Sequence, residues 1–137
     1  MEKTLSIIKP DAIQKKVIGK IITHLEENSF KIIAFKMVHL TEDQAKKFYE
    51  VHKEKPFYND LVKFMSSAPI IAMCLEGENA ISKLRELMGI TDSKKAIKGT
   101  IRNVYGTDIQ RNAIHGSDRL ETAQKEIKFF FPNLNLS

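Results

Sequence analysis

Residues 69–75 read Pro-Ile-Ile-Ala-Met-Cys-Leu, a nearly all-apolar run of the length of one strand. A strand without polar alternation is typical of the middle of a sheet, so we predict a central strand here. On its N-terminal side, residues 59–66 carry apolar side chains at helical spacing and predict a short amphipathic helix. On its C-terminal side, residues 78–88 predict another helix by the same spacing.

The N-terminal half of the chain predicts two further strands, each followed by a helix or a capping signal. Residues 3–9 have an apolar centre and residues 31–40 are rich in β-branched and aromatic side chains, so both predict strands. Residues 17–28 lie between them with helical spacing. Thr41 and Gln44 match a capping box, which predicts that a helix starts there and runs through residue 49.

The C-terminal part is less regular. Residues 89–111 have weak periodicity and predict a long loop, a kind of connection that is usually functional or disordered. Residues 112–115 predict a short strand, and residues 118–131 a last helix. Asp118 is the predicted N-cap of that helix, with Glu121 in the capping-box position.

The predicted order is β-α-β-α-α-β-α-loop-β-α, which indicates the α+β class. We expect a ferredoxin-like, four-stranded antiparallel sheet with helices packed on one face. The long loop would connect the third main helix to the last strand. Without a repeat, a low-complexity tract or a linker, residues 1–137 are predicted to form one domain.

Composition restricts the class of protein. The chain is 42% hydrophobic and 28% charged, as globular proteins are, and no apolar run approaches the ~18 residues of a membrane span. The first apolar run is interrupted at Lys9, too early for a signal peptide, so we expect a cytoplasmic protein without a membrane partner. A single cysteine, Cys74, excludes an intramolecular disulfide.

The net charge of +5 and the pI near 9.3 favour an anionic partner. Nucleic acid, membrane headgroups and phosphorylated small molecules all meet that condition. The basic residues are spread along the chain rather than gathered in a tail, so charge alone does not select one of them.

The segment that indicates chemistry is residues 112–118, Asn-Ala-Ile-His-Gly-Ser-Asp. His115 ends a short predicted strand, and Gly116 leaves room for a ligand because it has no Cβ. The helix predicted to begin next would offer free amides to an anion. A neutral imidazole is a usable nucleophile at pH 7, so His115 is a candidate catalytic residue. A structural histidine is the alternative interpretation.

The same segment resembles the active-site signature Asn-x-x-His-Gly-Ser-Asp of the nucleoside diphosphate kinases. Four other segments resemble that family in the same order and at compatible spacing: residues 4–11, which end Ile-Lys-Pro-Asp; residues 49–57, Tyr-x-x-His-x-x-x-Pro-Phe; residues 67–77, Ser-Ala-Pro before a strand and Glu-Gly after it; and residues 99–102, Gly-Thr-Ile-Arg. The resemblance covers residues 3 to about 132. Five ordered motifs are far more specific than any one of them.

The resemblance implies a ping-pong phosphoryl transfer. The γ-phosphate of a nucleoside triphosphate, with ATP as the main donor, would move to His115 and then to any nucleoside diphosphate. Such a transfer depends on positioning and charge neutralisation, which suits the residue types present. Mg²⁺ is the implied cofactor, carried by the nucleotide phosphates rather than by protein ligands.

The resemblance implies five catalytic side chains. His115 would attack through Nδ1, and Glu126 would hydrogen-bond the other ring nitrogen and stabilise the imidazolium. Ser117 would contact that glutamate. Lys9 and Tyr49 would hold the phosphate under transfer.

It also implies a nucleotide-binding set, in which Lys9 is included again. Arg85, Thr91 and Arg102 would bind the β- and γ-phosphates, since a guanidinium meets two phosphate oxygens at once. Asn112 would hydrogen-bond the ribose 3′-hydroxyl and a phosphate oxygen.

For the base, the resemblance implies a sandwich between Phe57 and Ile109. Stacking on an aromatic side chain tolerates every base, because every base has a π-face. We therefore expect broad specificity for base and sugar.

Several of these residues have a structural interpretation when they are read without the family. Lys9, Arg85 and Glu126 would be solvated surface charges, and Tyr49 and Phe57 would pack in the core. His52, within the second motif, is interpreted as architectural.

The chain also departs from the family pattern. Two prolines, a glycine and an acidic residue of that pattern are absent between residues 91 and 105. This segment packs at subunit contacts in the family, so its changes bear on the type of oligomer. The overall resemblance implies a homo-oligomer, and we predict a hexamer rather than a tetramer.

The sequence supports two other function classes to different degrees. A catalytically weak family member could act as an oligomeric interaction or nucleic-acid-binding module, with nucleic acid as a secondary partner; the altered loop and the basic pI motivate it. A ferredoxin-like RNA-binding domain lacks support, because no predicted strand has paired aromatics or an Arg-Gly-Phe pattern.

Overall fold

The computed structural model describes residues 1–135, which contain one four-stranded antiparallel sheet of strand order β2-β3-β1-β4. The strands are β1 (Glu2–Ile8), β2 (Lys31–Val38), β3 (Ile70–Gly77) and β4 (Ile114–Gly116). The helices are α1 (Pro10–Gln14), α2 (Ile18–Glu27), α3 (Glu42–Phe48), α4 (Tyr58–Ser66), α5 (Ala80–Met88), α6 (Ile101–Tyr105) and α7 (Leu120–Phe130). Short 3-10 turns occupy Glu50–His52 and Ser93–Lys95. The predicted α+β, ferredoxin-like class is confirmed.

Strand β3 is central, as its apolar run predicts, and its side chains are buried on both faces of the sheet. Ile71, Met73 and Leu75 pack into one core cluster with side chains of α2 and α5. Ala72 and Cys74 pack into a second cluster with side chains of α3, α4 and α7. Helices therefore cover both faces, and the expectation of helices on one face is wrong. The physical reason is already in the sequence, because a strand that is apolar at every position must be buried on both sides.

The helix starts differ in how well local signals identify them. At α3 the predicted capping box is confirmed: Thr41 Oγ1 accepts the Gln44 N–H at 3.1 Å, and Gln44 Oε1 accepts the Thr41 N–H at 2.9 Å. The predicted N-cap of α7 is wrong. That helix begins at Leu120, after Arg119, and Asp118 instead accepts a hydrogen bond from the Thr122 side chain.

Two short helices are additional to the sequence prediction. Helix α1 follows β1 directly, with Pro10 at its first position, where the missing N–H costs nothing. Helix α6 lies within the predicted loop 89–111, and Thr100 caps it by accepting the Asn103 N–H. The long connection is therefore an ordered segment.

Strand pairing brings two distant segments together at one end of the sheet. Ile7 pairs with His115 and Ile8 with Ile114 in the β1–β4 ladder. One residue further, the Lys9 N–H donates to the Ala113 carbonyl at 2.9 Å. The end of β1 thus lies beside the start of β4, and the two motifs around Lys9 and His115 meet there.

In residues 1–135, no helix has the length and apolarity that crossing a bilayer requires. The predicted domain of residues 1–137 includes residues 136 and 137, which lie outside the described part of the chain, so the single domain stays a prediction.

Candidate active site

A cleft of about 420 Å³ opens at the end of the sheet where β1 and β4 meet. Its walls include almost every side chain implicated by the sequence: Lys9, Tyr49, Phe57, Arg85, Thr91, Arg102, Ile109, Asn112, His115 and Glu126. Ser117 is fully buried behind Glu126 rather than on the wall. The structure therefore brings the predicted residues into one site from six different segments of the chain.

His115 projects from the short edge strand β4 and is oriented from behind by helix α7. Its Nε2 lies 2.9 Å from Glu126 Oε1, and Ser117 Oγ donates to the same oxygen at 2.7 Å. A carboxylate only accepts hydrogen bonds, so Nε2 carries the proton and Nδ1 keeps its lone pair. In the tautomer that this contact favours, the nucleophilic nitrogen Nδ1 has no hydrogen-bond partner within residues 1–135.

Two aromatic rings support the imidazole. Phe48 lies with its ring centroid 5.7 Å from that of His115, and Tyr49 lies at 6.4 Å with an interplanar angle of 89°. Tyr49 is almost fully buried, and burial raises the pKa of its phenol well above the usual value. The phenol is therefore a neutral hydrogen-bond donor on the cleft wall.

Lys9 is buried at the end of β1, with an exposed fraction of only 6%. Its Nζ donates to the Gln110 carbonyl at 2.8 Å and to Asn112 Oδ1 at 2.9 Å. Burial lowers the pKa of Lys9 to about 8, so the ammonium is charged at pH 7 and weakly solvated. A solvated strand-end lysine, the alternative from sequence, does not describe this side chain.

Two guanidinium groups complete the cationic wall. Arg102 is buried, and it donates through Nη1 to the Gly89 carbonyl at 3.0 Å and through Nη2 to the Ile114 carbonyl at 2.8 Å. Its Nε is buried without a partner in the described chain, and burial lowers its pKa to about 10. Arg85 is more exposed and lies 3.4 Å from the Gly116 carbonyl. With a pKa of about 10, Arg102 is charged at pH 7.

Asn112 connects Lys9 to the segment that precedes it. Its Oδ1 accepts from Lys9, and its Nδ2 donates to the Thr91 carbonyl at 3.0 Å and to the Ile109 carbonyl at 2.9 Å. The side chain is therefore held from both sides while it faces the cleft.

The opposite end of the cleft is open and apolar. Phe57 is 48% exposed and Ile109 is 61% exposed, and both line the cleft. Phe57 therefore is not a core residue, which was its alternative interpretation.

Sequence reasoning missed several residues of the site. His52, interpreted as architectural, lines the cleft between Tyr49 and Phe57, with ring centroids 6.5 and 5.7 Å away. Burial, more than the nearby Lys55, lowers the pKa of His52 and favours the neutral ring. Phe48 also lines the cleft. The available signal was proximity in sequence, because Phe48 and His52 lie one and three residues from Tyr49.

Within residues 1–135, no group of three or more His, Cys, Asp or Glu side chains is arranged to hold a metal ion. The polar atoms that face the cleft are mainly cationic groups, amides and hydroxyls. Such a wall suits an anionic ligand.

Comparison with known proteins gives a family. The sequence pattern described as nucleoside diphosphate kinase matches residues 2–136. The chain is 61% identical over 131 residues to the nucleoside diphosphate kinase of Nitratiruptor, with 96% of each chain covered. It is 58% identical to that of Dechloromonas aromatica, covering 98% of this chain and 95% of the relative.

Comparison with solved structures gives the same family. The nucleoside diphosphate kinase of Aquifex aeolicus superposes with a TM-score of 0.95 at 47% identity, over 99% of each chain. The Halobacterium salinarum nucleoside diphosphate kinase in complex with CDP superposes with a TM-score of 0.93 at 39% identity, over 99% of this chain and 93% of that one. This chain belongs to the nucleoside diphosphate kinase family.

Proposed function

We propose that this protein is a nucleoside diphosphate kinase that moves the γ-phosphate of a nucleoside triphosphate to a nucleoside diphosphate through a phosphohistidine at His115. The observation that carries the proposal is the single cleft in which His115 faces Lys9, Arg85 and Arg102. With Nε2 bound to Glu126, Nδ1 is free to attack. Relatives at 58–61% identity bear the same enzyme name.

The first half-reaction forms a bond between Nδ1 of His115 and the γ-phosphorus. The bond from that phosphorus to the β–γ bridging oxygen breaks, and the nucleoside diphosphate leaves with the electron pair. The imidazole becomes cationic as it attacks, and the Glu126 carboxylate stabilises the Nε2–H of that cation. The second half-reaction runs the same steps in reverse with another nucleoside diphosphate.

Charge neutralisation is the main task of the rest of the site, because the transferred group spreads negative charge over its oxygens. Lys9 and the phenol of Tyr49 hold the group under transfer. Arg85, Arg102 and Thr91 bind the β- and γ-phosphates. A weakly hydrated, buried cation interacts more strongly with a phosphate than a solvated one does.

Asn112, Phe57 and Ile109 are proposed to hold the nucleoside. Asn112 hydrogen-bonds the ribose 3′-hydroxyl, while Phe57 stacks on the base and Ile109 packs on its other face. Phe57 and Ile109 are exposed apolar side chains that contact the faces of the base and form no hydrogen bonds to its edge. This supports broad nucleotide specificity, with ATP as the main donor.

Enzymes of this family typically use a divalent cation. We propose Mg²⁺, which enters as part of the nucleotide substrate and is held by phosphate oxygens and water. The cationic wall of the cleft fits this assignment, because it offers side chains to the phosphates rather than to a metal.

We also propose a homo-oligomer, with a hexamer favoured over a tetramer. Strand β2 is an edge strand, and it exposes Phe35 and Met37 by 48% and 56%. An unpaired strand edge with exposed apolar side chains is a template for pairing with another chain, which supports a second copy of this chain as its partner. Size-exclusion chromatography with light scattering measures the number of subunits in the assembly.

The cytoplasmic location of the protein stays a prediction from the sequence.

The test of the function is labelling with γ-³²P-ATP followed by transfer to an unlabelled nucleoside diphosphate. The wild type should take up acid-labile, base-stable label, and His115→Ala should take up none. His24→Ala, on α2, is the matched control and should label like the wild type. An unlabelled wild type, or a labelled His115→Ala, contradicts the proposal.

The alternative of a catalytically weak interaction or nucleic-acid-binding module is not favoured, since the similar proteins are kinases. That alternative predicts salt-sensitive binding to single strands that survives His115→Ala, with little transfer.

A further inference from the structure

Asp11 is a buried carboxylate beside the phosphate end of the cleft, and the mechanism above gives it no task. It lies in the first turn of α1, with an exposed fraction of 4%. Its Oδ2 accepts the Ala113 N–H at 3.0 Å, and its Oδ1 is buried without a partner within residues 1–135. A buried carboxylate with an unpaired oxygen is costly, so its presence calls for a compensating role.

The first part of that role is to fix the backbone that leads into β4. Ala113 is fully buried and adopts a left-handed conformation with φ of 72°, which an alanine rarely adopts. Its N–H is bound by Asp11, and its carbonyl accepts the Lys9 N–H at 2.9 Å. Both peptide groups of this residue are therefore fastened to the segment 9–11. The left-handed turn separates Asn112 from the strand that carries His115.

The second part is electrostatic. The neutral partners of the Lys9 ammonium are the Gln110 carbonyl and Asn112 Oδ1, with the Phe64 ring centroid at 5.5 Å. The charged groups that act on it are Asp11 from α1, Arg102 from α6 and Asp108 from the segment before β4. Arg102 repels the ammonium, and Asp108 is more exposed and therefore screened. Asp11 lies two residues along the chain from Lys9 and is buried like it, so its attraction for the ammonium is less screened than that of Asp108.

We propose that Asp11 is a positioning residue of the transfer reaction, whose carboxylate both locks the turn at Ala113 and keeps the buried Lys9 ammonium charged for phosphate binding. The inference rests on the proposed kinase function and adds a residue that does not touch substrate. It couples the geometry of the nucleophile's strand to the charge of the phosphate-binding lysine.

Asp11→Asn removes the negative charge of the side chain but keeps its size, and the amide oxygen can still accept the Ala113 N–H. We expect the variant to fold and to keep about half of the wild-type transfer activity at pH 7, because the midpoint of its alkaline limb falls near that pH. The pH dependence of kcat/KM reports groups of the free enzyme. In the wild type its alkaline limb should have a midpoint near pH 8, where burial places the pKa of Lys9. Removing the attractive charge should move that midpoint down by about one pH unit.

Two controls identify the titrating group. Asp43→Asn removes a carboxylate from the exposed first turn of α3 and should leave the midpoint unchanged. Lys9→Arg keeps a cation that does not titrate in this range, so it should remove the limb in both the wild-type and the Asp11→Asn background. A carboxylate that served only the fold would lower kcat/KM by the same factor at every pH.

The inference is overturned if the midpoint does not move in Asp11→Asn, or if the alkaline limb persists in Lys9→Arg.

If thermal unfolding shows that Asp11→Asn is not folded, Asp11→Glu is tested in its place. It keeps the charge but displaces the carboxylate, so the midpoint should hold while kcat/KM at pH 7 falls about tenfold. Wild-type kcat/KM in Asp11→Glu would also overturn the inference. Failure of the kinase proposal is distinct, since the wild type itself would then transfer no phosphate.

Discussion

The two ends of the cleft are built in opposite ways. At the end proposed for the phosphates, Lys9, Arg102 and Asn112 are buried and each makes two or more hydrogen bonds within the protein. At the end proposed for the base, Phe57 and Ile109 are about half exposed and contribute only apolar surface. The contrast indicates that the groups common to all nucleotides meet a preorganised site, while the variable base meets an adaptable one.

The largest test of this contrast is Lys9→Met, at the buried end. Loss of one preorganised charge that stabilises the transferred group should lower kcat/KM about 10³-fold. The measurement is steady-state transfer between ATP and a second nucleoside diphosphate. A loss below about tenfold would show that Lys9 is not part of the phosphate site.

The same variant should change the pH dependence of stability. Because burial lowers the pKa of Lys9 from 10.5 to about 8, the folded state binds the proton less tightly than the unfolded state does. The resulting penalty is complete below pH 8 and disappears as the pH rises to 10.5. Lys9→Met removes this pH-dependent penalty together with two hydrogen bonds, so its free energy of unfolding relative to the wild type should be about 1–2 kcal/mol more favourable at pH 7 than at pH 10. Urea unfolding at both pH values measures this, with the exposed Lys20→Met as the matched control.

Glu126→Gln probes the support of the nucleophile. The amide has no charge to stabilise the imidazolium and can present a donor to Nε2, which favours the wrong tautomer. We expect the rate of His115 phosphorylation to fall about 10²-fold, measured by rapid-quench labelling. Glu121→Gln, in the first turn of α7, should leave the rate unchanged. Equal rates in the two variants would remove Glu126 from the mechanism.

Phe57→Ala probes the open end. Stacking on one aromatic ring contributes about 1–3 kcal/mol per base, so KM should rise at least about fivefold with little change in kcat. The rise should be similar for adenine, guanine, cytosine and uracil nucleotides, and Phe57→Tyr should keep the wild-type KM. A loss confined to one base would show that this end of the cleft discriminates.

The smallest effect is expected at Ile109. Truncation to alanine removes apolar contact from the other face of the base, in an exposed position, and should raise KM about threefold. Ile97→Ala, on the same connection but outside the cleft, is the matched control. If Ile109→Ala raises KM more than Phe57→Ala does, the assignment of the stacking face is reversed.

Local patterns predicted the parts of the fold that depend on neighbours in sequence. The apolar run of residues 69–75, the helical spacing before and after it and the Thr41–Gln44 capping box all predicted the elements that are observed. The short helices α1 and α6 have too few residues to show a period, and the start of α7 depends on a side-chain bond between Asp118 and Thr122. Spacing therefore identified long elements and missed short ones.

In the candidate site, too, local motifs predicted some features, whereas others depend on contacts between distant residues. Four of the five motifs contain cleft residues, whereas Arg85, Thr91, Ile109 and Glu126 lie outside the motifs and were assigned from the overall resemblance. Asp11 lay inside one of these motifs but had no assigned role, since its partner Ala113 is 102 positions away in sequence. The burial of Lys9 also depends on that long-range packing. The sequence indicated which residues are candidates for the reaction. The burial of Lys9 and the contact of Asp11 with Ala113 could be seen only in the tertiary structure.

The cationic side chains share one type of anchor, which has a consequence for how the chain tolerates mutation. Lys9 is held by the Gln110 carbonyl, Arg102 by those of Gly89 and Ile114, and Arg85 approaches that of Gly116. Every residue supplies such an oxygen whatever its side chain, so exchanges along the connection 89–113, other than at Arg102 and at Asn112, whose side chain also holds Lys9, need not loosen the cations as long as the backbone path is kept. Drift in that connection, which lacks two prolines of the family pattern, can therefore change its exposed surface while the cationic side chains of the cleft stay in place.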